Sequence, residues 1–273
     1  MKPLRPARIT LYVAVALLAV IILYPIYILF LVAFSPAHFT LDALYPPQLP
    51  HAFTLQNLTT ALQSYNLIDP LFQSLQVAFL VAFIALGLGI PAAYGLSRLP
   101  PGLAYGITTV LFVANILPAL TIVVPIAAEF ISLGLYDTAV GLALLQELVV
   151  LPLAVFILLG AFQSIPREIE YQARVDGAGL ARTLFGTLVP LAKAGIIAAF
   201  LLSWMFSWDE FTFAVILVPI HPTLPVVIYD NITRGNLLAT TAFAIVMTIP
   251  VVLLTVVLQK YLKGEELAGG LKG

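Results

Sequence analysis

The chain has 273 residues, 62% of them hydrophobic and 9% charged, with a formal net charge of -1. A soluble domain carries about 25% charged residues, so this composition, with a mean hydropathy of +1.08, excludes an ordinary soluble enzyme. The absence of cysteine excludes a disulfide framework, a thiolate metal site and a cysteine nucleophile.

Lys2, Arg5 and Arg8 precede a first apolar run at 9–34. That run exceeds the ~20 residues needed to cross a bilayer and the core of about 7–15 residues of a cleaved signal peptide. An uncleaved first helix is expected, with Tyr24-Pro25 as a kink. Residues 35–69 are rich in Pro, Gln, Asn and Thr and hold no Lys or Arg. Within them, the amphipathic stretch 53–62 predicts a short helix lying at the outer surface.

Four further spans are expected at 70–97, 103–128, 138–162 and 193–219. The second of these is interrupted by Asn115, Pro118 and Pro125, and the third contains Gln146, Glu147 and Pro152. A polar stretch with His221, Asp230, Asn231 and Arg234 leads to a last helix at 236–262 and a tail. The reading is an all-α polytopic membrane protein with six transmembrane helices. It divides into an N-terminal helix and connector (1–69), a core transmembrane domain (70–263) and a tail (264–273).

With the N-terminus inside, Lys2, Arg5, Arg8, Arg98, Arg167, Arg174, Arg182, Lys193, Lys260, Lys263 and Lys272 are cytoplasmic, and Arg234 alone is outside. The positive-inside rule therefore predicts that both termini are cytoplasmic. Prolines 91, 118, 125, 152, 219 and 250 fall in or at the ends of the spans. The carbonyls they free must be satisfied by neighbouring helices or cavity water, which favours kinked helices around a pathway.

The polar island 166–195 organises the rest. It holds Arg167, Arg174, Arg182 and Lys193 beside Glu168, Glu170 and Asp176. A short helix is predicted, with Ile169, Ala173 and Val175 on one face and Glu170 and Arg174 on the other. Asp176-Gly177-Ala178-Gly179 signals a turn. A second helix resumes at Leu180, with Leu184, Leu188 and Leu191 on one side and Pro190 near its end.

This spacing resembles the "EAA" cytoplasmic loop of ABC-importer permeases, in which Glu-Ala-Ala, three residues, Gly, nine residues and Ile-x-Leu-Pro follow one another. Asp176, Gly177 and Pro190 match the pattern. Tyr171-Gln172-Ala173 falls on Glu-Ala-Ala, so the signature glutamate is a tyrosine here and Glu170 lies one position early. The tetrad Trp208-Asp209-Glu210-Phe211 resembles a motif of the MalG-like carbohydrate branch of that family. The tail at 267–273 is similar to that branch's Gly/Ala-rich ending.

The resemblance implies a type I importer permease (MetI-like) fold in the inner membrane of a prokaryote. It implies energy coupling through 166–195, carried by Glu170, Tyr171, Gln172, Ala173, Asp176, Gly177, Ala178 and Pro190. The implied partners are a second, homologous permease subunit, two ATPase subunits and an extracytoplasmic solute-binding protein. The chain has no Gly-x-x-x-x-Gly-Lys-Ser/Thr phosphate loop, so it is expected to be no enzyme and to carry no cofactor. ATP and magnesium would be bound by the partner ATPases, and no nucleic-acid partner is expected.

Polar groups at membrane depth are candidates for a substrate pathway, because an unpaired charge at the centre of a span costs at least ~2.5 kcal/mol. They are Asn115, Gln146, Glu147, Trp204, Trp208, Asp209 and Glu210. Asn115, Gln146 and Glu147 would either bind a polyol or tie helices together. Trp204 and Trp208 would stack on a sugar ring or act as packing aromatics. Neighbouring helical residues point about 100° apart, so Asp209 and Glu210 should face different surroundings. A sugar or oligosaccharide is the expected solute. The alternatives are a polyamine or glycerol phosphate on the same architecture, or a proton-coupled secondary transporter.

Overall fold

The computed structural model describes residues 6–36, 52–64, 67–116 and 118–262. The tail at 264–273 and residues 37–51 and 65–66 of the connector lie outside them. The described elements are helical, with no strand among the described residues. They are α1 (Pro6–Phe34), α2 (Gln56–Ser64), α3 (Ile68–Ser97), α4 (Pro101–Val113), α5 (Ala119–Ser132) and α6 (Ala139–Gln163). These are followed by α7 (Arg167–Val175), α8 (Leu180–Leu191), α9 (Lys193–Asp209), α10 (Ala214–Leu217), α11 (Leu224–Thr233) and α12 (Leu237–Leu262).

Four helices, α1, α3, α6 and α12, are each long and apolar enough to cross a membrane, and α8 with α9 forms a bent fifth. The six continuous spans expected from hydropathy are not all present. The run at 103–128 divides into α4, a 3₁₀ turn at Ala114–Ile116, and α5. Pro118 has no N–H to continue the ladder and disfavours helical geometry before it. The Asn115 amide also leaves the helix axis to donate to the Val149 carbonyl of α6 at 3.4 Å. The run at 193–219 ends as a helix at Asp209, because Glu210 is extended with ψ 127°.

The chain forms two compact units. One draws on Met1–Ile68 and Ile228–Ile249. Here α2 closes the C-terminus of α1, whose last carbonyls have no partner within the helix. The Asn57 amide reaches the carbonyls of Val32, Ala33 and Ser35 at 3.3, 3.2 and 2.9 Å. Phe53 stacks on Phe34 at 5.1 Å between ring centroids. Most of α1 exposes Leu, Val and Ile side chains, as a lipid-facing helix does.

The second unit comprises Asp69–Val227 with Pro250–Gly273, and α6 and α9 are its axis. Gly195 packs on Ala161 near one end, and Gln146 reaches Glu210 at the other. The same number of residues separates these points on both helices, so α6 and α9 run antiparallel in register. Lipid tails are as apolar as leucine, so helices in a bilayer associate through close packing at small residues. Ala154 and Ala199 are accordingly fully buried in this unit. One apolar cluster gathers Val81, Leu142, Val150, Phe213 and Leu217, and another gathers Tyr94, Leu158, Phe162, Leu184 and Leu188 around the start of the elbow.

A Cβ on Gly195 would collide with the Cβ of Ala161. Gly195→Ala should therefore destabilise the unit by about 1–3 kcal/mol through overpacking, against the gain of up to about 1 kcal/mol that alanine brings to an open helical site. Gly87→Ala, where a Cβ meets nothing, should show only the gain. Thermal unfolding of the two detergent-solubilised variants checks the contrast.

Candidate functional site

The elbow begins at Pro166, after which α7 carries Glu168 and Glu170 in its first turn and Arg174 in its last. Those positions suit the helix dipole, which favours acids at the N-terminus and bases at the C-terminus. The helix ends in a glycine cap. Gly177 has φ +83°, and the N–H groups of Gly177 and Ala178 return to the carbonyls of Arg174 and Ala173, each at 3.0 Å. Only glycine takes that conformation without strain. The chain then runs through α8, whose middle, Leu184–Leu188, is π-helical. Exposed Pro190 precedes an 81° bend into α9.

Glu170 fixes the orientation of α7 and corrects part of the face read from the sequence: Ile169 and Ala173 are half-buried as expected, but Glu170 joins them inside and Val175 does not. Glu170 is 5% exposed and Val175 is 87% exposed. One Glu170 oxygen pairs with Arg98 Nε at 2.6 Å. The other accepts from Arg174 Nη2 and from the Tyr94 hydroxyl, both at 2.7 Å. A buried carboxylate is tolerated only when opposite charge and donors replace its water, and these three groups do so. Arg98 also lies over the Tyr94 ring, 5.2 Å from its centroid. The Tyr94 hydroxyl, and then the charge of Glu170, raise the pKa of Arg174 above its ordinary value. Val175 is left outside because no apolar surface faces it.

The outer side of α7 presents an open groove of about 530 Å³ lined by Glu168, Tyr171, Gln172, Val175 and Asp176. Tyr171, at the place of the family's signature glutamate, is exposed. The carboxylates of the groove are therefore Glu168 and Asp176, with Glu170 turned inward. Ala173 and Ala178 are half-buried.

The membrane-depth candidates separate into distinct surroundings. Gln146 Nε2 donates to a Glu210 oxygen at 3.3 Å. The same carboxylate accepts the Phe213 and Ala214 N–H groups at 2.7 and 3.1 Å. Glu210 thus caps α10 and ties the break after α9 to α6. Trp204 and Trp208 stack on each other at 5.0 Å with their planes 12° apart, and both are fully buried. Phe79 meets the edge of Trp204. Asp209 is exposed, so the two adjacent carboxylates do have different surroundings. Glu147 is 7% exposed, with neither oxygen partnered among the described residues.

Sequence reasoning singled out neither Tyr94 nor Arg98 for the site. Their signal was a tyrosine one helical turn before a lone cation at the end of a long apolar run. It also missed a clasp in the loops. Asp137, at φ 59°, accepts the N–H groups of Ile220 and His221 and pairs with His221 Nδ1 at 2.7 Å.

Residues 85–264, which hold the elbow, its anchors and the Glu210 cap, match the family described as "Binding-protein-dependent transport system inner membrane component". The chain belongs to that family. The permease is 30% identical to the inner membrane ABC transporter permease protein YcjP of Escherichia coli (strain K12), over 98% of this chain and 97% of that one. It is 32% identical to the sulfoquinovosyl glycerol transport system permease protein SmoH of Agrobacterium fabrum, over 100% and 94%. It is 28% identical to the trehalose/maltose transport system permease protein MalG of Thermococcus litoralis, over 97% of each. Its fold matches, with a TM-score of 0.72 and 21% identity, a solved bacterial ABC transporter involved in the import of the acidic polysaccharide alginate, over 96% of this chain and 99% of that one. The permease is thus a multi-pass membrane transport subunit, as the elbow and the Trp-Asp-Glu-Phe tetrad implied.

Glu170→Ala would strand Arg98, whose side chain is 19% exposed, and should cost about 3 kcal/mol. Replacing both partners, Arg98→Met with Glu170→Leu, should cost less than the sum of the single changes. A double-mutant cycle on thermal stability of the purified permease checks both statements.

Proposed function

We propose that this permease forms half of the translocation pathway of an ATP-driven importer for a sugar or oligosaccharide, with the elbow at 166–195 transmitting motion from a separate ATPase. The observation that carries this reading is the form of the elbow. An exposed helix ends in a glycine cap, carries an open groove with Tyr171 and Val175 beside Glu168 and Asp176, and is fixed to the end of α3 by a buried carboxylate. Two ATPase subunits binding ATP and magnesium, a second permease subunit and an extracytoplasmic binding protein complete the system. ATP-driven closure of the ATPases displaces α7, and Glu170 passes the displacement to α3 through Arg98 and Tyr94. Glu170, Tyr171, Gln172, Ala173, Asp176, Gly177, Ala178 and Pro190 form the coupling element. Tyr171 meets the ATPase with a ring and a hydroxyl, while Glu168 and Asp176 supply the negative charge of the groove.

A carbohydrate is favoured by the relatives named for trehalose/maltose and sulfoquinovosyl glycerol transport. In the unit containing α2, a pocket of about 210 Å³ is lined by the uncharged polar groups of Gln56, Asn57, Thr60 and Asn236, which suit hydroxyls better than a polyamine. Asn115, Gln146, Glu147, Trp204, Trp208, Asp209 and Glu210 surround the pathway. Of these, exposed Asp209 is placed to meet solute, whereas Glu210 and the paired tryptophans shape the wall.

The distribution of the basic residues supports cytoplasmic termini and a cytoplasmic elbow. The chain has no cysteine, so single cysteines report topology without background. Val175→Cys should react with an impermeant maleimide only in inside-out vesicles, and His221→Cys only in cells or right-side-out vesicles. The opposite pattern would invert the orientation. In vesicles holding the complete importer, Gly177→Leu, which puts a side chain on a φ of +83°, should leave ATP hydrolysis measurable while sugar uptake falls at least about tenfold. Uptake at the wild-type rate would sink the lever.

A further inference from the structure

Beside the elbow anchor lies a second feature, which shares Arg98 with it. A cavity of about 310 Å³ is lined by Ser97, Arg98, Tyr105, Gln163 and Arg167, with apolar neighbours completing the wall. It contains two guanidinium groups and no carboxylate. Arg98 lies with its Nε 2.6 Å from a Glu170 oxygen as an ion pair, and its Nη2 is buried with no hydrogen-bond acceptor among the described residues. An arginine presents five N–H donors in a rigid fork that suits phosphate oxygens, so a buried, unused Nη2 marks a place for an oxyanion. Tyr105 and Gln163 bring a hydroxyl and an amide to the same wall, whereas the Ser97 hydroxyl already donates to the Tyr94 carbonyl at 2.7 Å.

The cavity lies between the end of α3, the start of α4 and the start of α7. Along α4 the surface beside it is apolar and uncovered, with Leu103, Tyr105 and Val110 all exposed. An anionic pocket-filler with acyl chains would satisfy both regions, whereas a free anion would leave the apolar flank bare. We propose that this cavity binds the phosphate headgroup of an anionic phospholipid, with its acyl chains along α4. The site sits against the Arg98–Glu170 anchor, so the lipid stiffens the elbow's attachment. It rests on the proposed placement of the elbow at the cytoplasmic leaflet, where basic pockets between helices meet such headgroups.

The test is lipid retention by the assembled importer, which does not depend on what solute it carries. The complex is reconstituted in equal parts phosphatidylglycerol and phosphatidylcholine, re-extracted in mild detergent, and its bound lipids are counted by native mass spectrometry. The wild type should retain phosphatidylglycerol over phosphatidylcholine. Arg167→Gln, an exposed residue outside the Glu170 pairs, should reduce that retention about fivefold. Arg182→Gln, a cation of the same elbow outside the cavity, should leave it unchanged. Equal retention of the two lipids by the wild type, or equal losses in the two variants, would overturn the site. Displacement of phosphatidylglycerol by inorganic phosphate in the extraction buffer would show a free-anion site and overturn the lipid assignment. Normal retention in an importer that transports no sugar would leave the site standing and remove only the solute reading.

Discussion

The carboxylate of Glu170 is the constraint on which the elbow depends. A charged group 5% exposed at the edge of an apolar helical unit stays there only because Arg98, Arg174 and Tyr94 replace its hydration. That requirement fixes the rotation of α7. Once α7 is rotated with Glu170 inward, Val175 must point out, Tyr171 must enter the outer groove, and the glycine cap at Gly177 must carry the chain back toward α8. A short helix of nine residues has little stability of its own. Its position comes from this one polar anchor and from the packing of Ile169 on the apolar cluster around Phe162.

The two ends of the second unit apply the same logic to different tasks. At the elbow end, Glu170 joins a helix presented to a partner to the end of a membrane-length helix. At the other end, Glu210 caps α10 and holds Gln146 of α6. Between them, α6 and α9 pack closely at Gly195 and Ala161, and the paired tryptophans of α9 meet Phe79 of α3, with little slack for the helices to slide. A displacement of α7 would therefore reach α3 through Glu170, and α3 meets α9 where Phe79 lies against Trp204. That is a physical route from the elbow to the region around Asp209.

Much of this was legible in the sequence because the signals are local. Long apolar runs cannot leave backbone groups unpaired in lipid, so they become helices. Asp176-Gly177 and Pro190 mark a turn and a bend whatever surrounds them, and the spacing between them identified the family. The face of α7 was misread because periodicity weighs side chains one at a time, whereas the partner of Glu170 at Tyr94 lies 76 residues away. Arg98 served the sequence reading only as a topological marker. The division at 114–118 was visible as Asn115 and Pro118, but summed hydropathy passes over breakers inside an apolar run. The capping role of Glu210 needed the chain turn that follows it, which no pattern in Trp-Asp-Glu-Phe announces.

If Glu170 transmits motion as proposed, the elbow and the end of α3 move as one body. The absence of cysteine allows spin labels at exposed Val175 and exposed Phe83 alone, and pulsed electron spectroscopy of the full importer can follow their separation through the nucleotide cycle. One narrow distance distribution, unchanged on ATP binding, is expected in the wild type, and it should broaden when Glu170 is replaced by glutamine. A distribution that shifts with ATP in the wild type, or one that the Glu170→Gln change leaves as narrow as before, would contradict that transmission.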